Sequence, residues 1–345
     1  MKILIVRVSS LGDVVHNMPM VADLLRQYPQ AQIDWVVEEA YVDLVRLNRG
    51  VRNVMPFALR RWRKSWHAAA THAEMRVFRQ RLRQTAYDVI FDTQGLFKTA
   101  LVMRMARLAP GGQRIGLANA TEGSGYEAIS RLLHTRSIPV GLRTHAVQRA
   151  RAVAAVALGY AVESPADFGL QAPPLSEAAR RWLPSTPYAV FFHGTARAAK
   201  QWPREQWAAL GAHLAQRGLP VLLPWGSETE QRDAQWLVDR CANARVLPAL
   251  PMMDAVLLAH RAALVVGLDS GLTHIAAAYQ RPTIELYSDS PRWKTEGNWS
   301  EVIINLGDTG SPPALELVCA AADTLLQSAH VRGTDPFDTT IGEMH

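Results

Sequence analysis

Two apolar runs in this chain end in the same way, and that ending limits the fold more than any other feature. Lys2-Ile3-Leu4-Ile5-Val6-Arg7-Val8 runs into Ser9-Ser10-Leu11-Gly12-Asp13, and Ala263-Leu264-Val265-Val266-Gly267-Leu268 runs into Asp269-Ser270-Gly271-Leu272-Thr273-His274. Each run of β-branched and aliphatic residues reads as a strand of a parallel sheet, buried on both faces. Gly and Asp then turn the chain into a helix. Polar side chains and free backbone N–H groups are left at the strand's C-terminal end, where open α/β sheets bind ligands. Two such turns in separate halves predict an α/β protein with two Rossmann-like domains of parallel sheet, facing each other across a cleft.

The rest of the sequence keeps this alternation. In the first half strands are expected at 2–8, 32–38, 53–57, 88–93 and 113–117, and helices near 14–27, 39–48, 68–85, 97–108 and 144–159. In the second half strands are expected at 187–193, 219–224, 244–247, 263–268, 282–287 and 301–305, and helices near 204–217, 228–240, 252–260, 271–279 and 314–329. Strands alternating with helices of about 10–15 residues imply βαβ units. Pro165, Pro173, Pro174 and Pro184 mark the break. The expected plan is a first domain over 1–165, a linker over 166–186, a second domain over 187–328 and a tail over 329–345.

At 345 residues the chain exceeds one comfortable core and suits two domains. Its 48% hydrophobic and 20% charged residues are those of an ordinary globular protein. No apolar run reaches the ~18–20 residues that span a bilayer, and Met1 leads directly into strand residues without a separate leader segment. Cys241 and Cys319 have no metal-ligand spacing and read as buried thiols in a reducing, cytoplasmic setting. The net charge of +6 is local. Residues 60–83 hold Arg60, Arg61, Arg63, Lys64, Arg76, Arg79, Arg81 and Arg83 against Glu74 alone, a surplus of seven that exceeds the whole chain's. Such a patch calls for an anionic partner at one place.

Four segments carry chemistry. At the first turn Gly12 admits a ligand, and the Asp13 carboxylate could take a proton from an attacking hydroxyl; an Asp there serves equally well in capping a helix. At the second, Ser270, Gly271 and Thr273 offer donors suited to a diphosphate, with His274 one turn on. A capped helix with a satisfied core histidine is the plainer alternative. His193-Gly194-Thr195-Ala196-Arg197-Ala198-Ala199-Lys200 places two cations after a strand, where they could neutralise a departing phosphate or simply close a solvated loop. Arg60-Arg61-Trp62-Arg63-Lys64-Ser65-Trp66 interleaves cations with aromatics, as nucleic-acid, lipid-surface or polyanion sites do, and as a solvated face also can. No nucleic-acid motif accompanies it, so nucleic acid is not an expected partner. No G-x-G-x-x-G fingerprint and no Asp-x-Asp metal pair at a strand end occurs, which argues against dinucleotide oxidation and assigns no metal ligand.

These segments, with Asp34-Trp35-Val36-Val37-Glu38-Glu39, Asp92-Thr93-Gln94-Gly95-Leu96, Lys200-Gln201-Trp202-Pro203 and Leu223-Pro224-Trp225-Gly226, resemble the lipopolysaccharide heptosyltransferases. These are the inverting GT-B enzymes of glycosyltransferase family 9. The resemblance covers roughly 1–328. The Ser9-Ser10-Leu11 turn sides with the branch that adds the first heptose, since the second branch carries a Trp-containing turn there. It implies transfer of L-glycero-D-manno-heptose from its ADP-β derivative (ADP-heptose) to the Kdo sugar of Kdo2-lipid A, at the cytoplasmic face of the inner membrane and peripheral to it. By the same resemblance Asp13 is the general base. Thr195, Lys200, Glu230, Asp269, Ser270, Gly271 and His274 line the donor site, and Arg60, Arg61, Arg63 and Lys64 meet the acceptor. Trp62 and Trp66 would lie at the wet–apolar boundary. No cofactor is required, although a dissolved divalent ion can assist. The final helix would return to pack on the first domain. Ala196 stands where the family often has Thr, which leaves that phosphate contact either missing or supplied by backbone. Three rival readings remain: a relative of the second branch, a GT-B nucleotide-sugar epimerase, and a non-catalytic protein that binds anionic lipid.

Overall fold

The computed structural model describes residues 1–162, 165–195 and 197–332. The chain forms two units that divide between Gln171 and Ala172. The first runs β1 (Lys2–Val6), α1 (Leu11–Asn17), α2 (Pro19–Gln27), β2 (Gln32–Glu38), α3 (Val42–Arg46), β3 (Val51–Phe57), α4 (Leu59–Lys64), α5 (Ala69–Gln84), β4 (Ala86–Asp92), α6 (Phe97–Met105), β5 (Arg107–Leu117), β6 (Arg136–Ile138) and α7 (Ala146–Leu158). Its six strands are parallel, in the order β3-β2-β1-β4-β5-β6. Ile3, Leu4, Ile5 and Val6 are fully buried because β1 is central and helices cover both faces. Helix α7 stops at Gly159, whose φ of +75° supplies the left-handed cap that side-chain-bearing residues resist.

The second unit repeats the plan with α8 (Ala179–Trp182), β7 (Ala189–Phe192), α9 (Arg204–Ala215), β8 (Val221–Leu223), α10 (Glu228–Val238), β9 (Ala244–Val246), α11 (Met252–Arg261), β10 (Leu264–Leu268), α12 (Gly271–Ala278), β11 (Thr283–Tyr287), β12 (Ile303–Gly307) and α13 (Leu315–Arg332). Its parallel order, β12-β11-β10-β7-β8-β9, is that of the first sheet. In each unit the order reverses beside the first strand, between β1 and β4 and between β7 and β10. That reversal opens a crevice at the strands' C-terminal ends.

Several expectations need adjusting. The 14–27 segment is two helices, since Pro19 begins a new one at its first position. Helix α4 and strand β6 were not expected, both being too short to show a period. The linker contains α8, with Ala179 and Trp182 buried. Within the second unit, Val318, Ala321, Ala322 and Leu325 of α13 enter the core beside Leu210, Leu214 and Val266. A helix that buries this stripe gains about 1.5–3 kcal/mol per large apolar side chain, and the facing helix α9 supplies the complementary surface. Of the tail expected over 329–345, the helix continues to Arg332 and the rest lies outside the described residues, as does Ala196. Among the described residues no helix is long and apolar enough to cross a membrane.

Candidate active site

In the first unit the crevice end of β1 carries Asp13, third residue of α1. Both roles open to it are visible. As part of a capping box, Asp13 Oδ2 accepts from the backbone N of Ser10 at 3.1 Å and from its Oγ at 2.9 Å. Oδ1 instead faces two guanidiniums, Arg7 at 2.6 Å and Arg149 at 3.6 Å. The Asp13 side chain is 36% exposed, while those of Arg7 and Arg149 are 5% and 9% exposed. Burial alone would raise the Asp13 pKa. The charge of Arg7, then that of Arg149, outweighs it and holds the carboxyl well below the usual range. Asp13 is therefore ionised at any working pH and carries a proton-accepting edge that solvent can reach.

Arg7 also donates to the Thr93 carbonyl at 2.6 Å, and Arg149 to Thr121 Oγ1 at 3.1 Å. Gln94 Oε1 accepts from the backbone N of Val8 at 3.0 Å, tying the loop after β4 to the end of β1. Sequence reasoning passed over Arg7 and Arg149. A signal existed: an arginine inside an aliphatic strand, or inside the Ala-rich helix α7, is buried and needs a partner.

In the second unit Thr195 and Lys200 follow β7, and Asp269, Ser270 and Gly271 follow β10, so these groups flank the reversal point. A Cβ on Gly194 would stand 2.3 Å from the carboxyl carbon of Glu230, so glycine is required for Glu230 to lie over the loop. Glu230 belongs to the first turn of α10, and its Oε2 accepts from the backbone N of Gly226 at 2.7 Å. Thr195 Oγ1 accepts a long bond from the Arg197 backbone N at 3.4 Å.

Asp269 is the hub. Its Oδ2 accepts from Lys200 Nζ and from Ser290 Oγ, both at 2.5 Å, and its Oδ1 accepts from His274 Nε2 at 3.0 Å and Thr295 Oγ1 at 3.1 Å. The other ring nitrogen of His274 lies 3.0 Å from Glu285 Oε1. Glu285 Oε2 accepts from the Tyr287 hydroxyl at 2.8 Å and the Gly297 backbone N at 3.0 Å. With a carboxylate at each nitrogen, both must donate, so His274 is an imidazolium. Burial works against that charge. The field of Glu285 and the hydrogen bonds to both carboxylates prevail, and the pKa is pushed up to about 10. Asp269 is held well below the carboxylate range by His274 and Lys200 despite its burial. Lys200, Asp269, His274 and Glu285 together are neutral, which makes so polar a cluster tolerable inside the unit.

The residues expected at this turn do not stand in equivalent places. Asp269 and His274 are buried beneath it with their polar atoms engaged, whereas Ser270 and Gly271 stand at its partly exposed rim. Ser270 sits at the N-cap position of α12 with no side-chain capping bond, and its Oγ lies 3.1 Å from Thr273 Oγ1. Ser290, Thr295 and Glu285, none of them expected, complete the support.

The basic run forms α4, with Arg60, Arg61, Arg63 and Lys64 exposed. They are not equivalent, because Arg61 is already paired with Glu39 at 3.0 Å and Glu74 at 2.9 Å. Trp62 corrects an expectation. It is only 5% exposed and stacks edge-on against Phe57 and Phe78, with ring centroids 5.5 and 5.7 Å away. Its Nε1 donates to Glu74 at 2.9 Å. Trp66 is 69% exposed and free to meet a boundary.

With this geometry in hand, comparison with known proteins is specific. The family model for glycosyltransferase family 9 (heptosyltransferase) matches residues 75–323. The chain belongs to that family and is a glycosyltransferase. It is 36% identical to lipopolysaccharide heptosyltransferase 1 of Pseudomonas aeruginosa over 94% of this chain and 89% of that protein. It is equally 36% identical to lipopolysaccharide heptosyltransferase 1 of Escherichia coli K12 over 83% of this chain and 88% of that one. Among solved structures, E. coli heptosyltransferase WaaC with ADP matches with a TM-score of 0.79 and 32% identity, covering 95% of this chain and 99% of that one. The fold is GT-B in class, as expected. A non-catalytic lipid-binding protein is no longer a competing account.

Proposed function

We propose that this enzyme transfers heptose from ADP-heptose to the Kdo sugar of Kdo2-lipid A in lipopolysaccharide core assembly, inverting the anomeric linkage. The observation that carries the donor half is the pair of Lys200 and Asp269 at the partly exposed turn of Ser270 and Gly271. A cation held beside free N–H groups is what a leaving diphosphate needs. The similarity to the lipopolysaccharide heptosyltransferase 1 proteins, and to E. coli heptosyltransferase WaaC with ADP, supports the same donor and pathway.

In this reading Asp13 accepts the proton of the Kdo hydroxyl as it attacks the anomeric carbon from the face opposite ADP. The weak basicity of so strongly paired a carboxylate means that the proton moves late, once the forming C–O bond has made the hydroxyl acidic. Lys200, the N–H groups near Gly271 and the Ser270 hydroxyl take up charge on ADP, with Thr195 and Glu230 completing the donor wall and no cofactor required. Asp269 and His274 act by positioning Lys200 and the turn. Arg60, Arg63 and Lys64, with Arg61 less available, meet the acceptor's phosphates and carboxylates. The exposed arginines at 76, 79, 81 and 83 attract the anionic inner-membrane surface, where each cation is worth about 1 kcal/mol. The test is ADP release from ADP-heptose with and without Kdo2-lipid A, and the anomeric configuration of the product. Release that ignores the acceptor, or a retained β linkage, would refute this reading.

A further inference from the structure

Charge is out of balance at the Asp13 turn. Two guanidiniums, both nine-tenths buried, converge on one carboxylate oxygen, and among the described residues Asp13 is the one carboxylate in ion-pair range of either. The remaining titratable neighbour acting on Asp13 is His16 of the same helix, which cannot supply negative charge. Donors are in surplus as well: Arg7 Nε and Thr93 Oγ1 are buried with no hydrogen-bond partner. A buried uncompensated cation is costly unless something completes it. Burial and the field of Arg7 already push Arg149 down to about 10, with Asp13 only partly offsetting them. The donor turn provides a contrast, since its four charges cancel.

We propose that Arg149, backed by Arg7, is a subsite for an oxyanion carried by the acceptor next to the hydroxyl that attacks. The inference rests on the reading of Asp13 as base and of the acceptor as an acidic sugar. Access is from the Asp13 side, where the carboxylate is 36% exposed; Arg149, the more exposed of the two arginine side chains, lies 3.6 Å from it. A carboxylate or phosphate bound there balances the surplus charge. It also draws the guanidinium field away from Asp13, so the base gains proton affinity only when the acceptor is in place. Without acceptor, Asp13 stays locked in its ion pairs and cap.

The experiment compares an acceptor bearing its sugar carboxylate with the same acceptor converted to the carboxamide, in wild type, Arg149→Lys and Arg149→Gln. Wild type should prefer the carboxylate by about 30-fold or more in kcat/KM, the scale of truncating one partner of a buried charge pair. Arg149→Gln should use the two acceptors within about threefold of each other, and Arg149→Lys should fall between. Inorganic phosphate should compete with the acceptor in wild type and less in Arg149→Gln, which distinguishes a general oxyanion site from one shaped for the carboxylate. Unchanged ADP-sugar affinity in the variants separates loss of the subsite from loss of the fold. Equal use of both acceptors by wild type, or an equal slowing of both by Arg149→Gln, overturns the subsite and leaves the proposed function standing. Transfer by wild type to neither acceptor overturns both.

Discussion

The buried imidazolium at His274 makes a prediction that can be worked through from its partners. Its pKa of about 10 exceeds the ordinary 6.5 by about 3.5, which by linkage is worth on the order of 5 kcal/mol to the folded second unit. The sign follows from the direction of the shift. The contribution is fully present below pH 6.5, where folded and unfolded chains both hold the proton, and is lost as pH rises toward 10. In that window the folded chain keeps a proton that the unfolded one has released. Stability should therefore fall by about 1.4 kcal/mol per pH unit, or roughly 2–3 kcal/mol from pH 7 to pH 9. With a urea dependence of about 2 kcal/mol per molar, the unfolding midpoint moves down by about 1 M. Cys241 is buried in the second unit, so brief thiol-labelling pulses in urea, read at that cysteine, follow the unfolding of this unit. His274→Gln should be less stable than wild type by about 3–5 kcal/mol at pH 7, since Asp269 then keeps Lys200 as its ion-pair partner while the buried Glu285 loses the cation beside it. Its midpoint should also decline less between pH 7 and 9. A wild-type midpoint that stays flat over that range, or a parallel decline in the variant, would refute the imidazolium assignment.

Three further outcomes are expected. Asp13→Asn should lower turnover by about 10²–10⁴-fold while ADP-heptose binding by calorimetry is retained; turnover near the wild-type rate would place the base elsewhere. Replacing Arg60, Arg63 and Lys64 together with Gln should raise the acceptor KM and flatten its salt dependence at constant donor KM. Arg61→Gln should do less, because Glu39 and Glu74 already neutralise that side chain, and a change in the donor constant instead would put the patch at the wrong substrate. Trp62→Ala should cost about 3–5 kcal/mol in thermal unfolding and Trp66→Ala less than about 0.5, since one fills the core and the other faces solvent.

The strands and the turns that follow them were legible in the sequence because a strand buried on both faces has to be written as an aliphatic run, and the turn after it as Gly, Asp or Ser. That is why β1, β2, β10 and β11 fall within a residue or two of where the residues put them, and why Asp13, Ser270 and Gly271 stand at strand ends. Family motifs added the chemistry. What the sequence could not carry is who neutralises whom. Asp13 meets Arg149 from a helix far along the chain, and Asp269 meets Lys200 from the loop after β7 and Ser290 and Thr295 from the connection after β11. Trp62 looked like a boundary residue among cations and is core because Phe57 and Phe78 close over it. A side chain's burial and charge partners are properties of its neighbours in space. Apolar periodicity is local and survives in one dimension, whereas compensation of a buried charge is settled only when the sheets and helices pack.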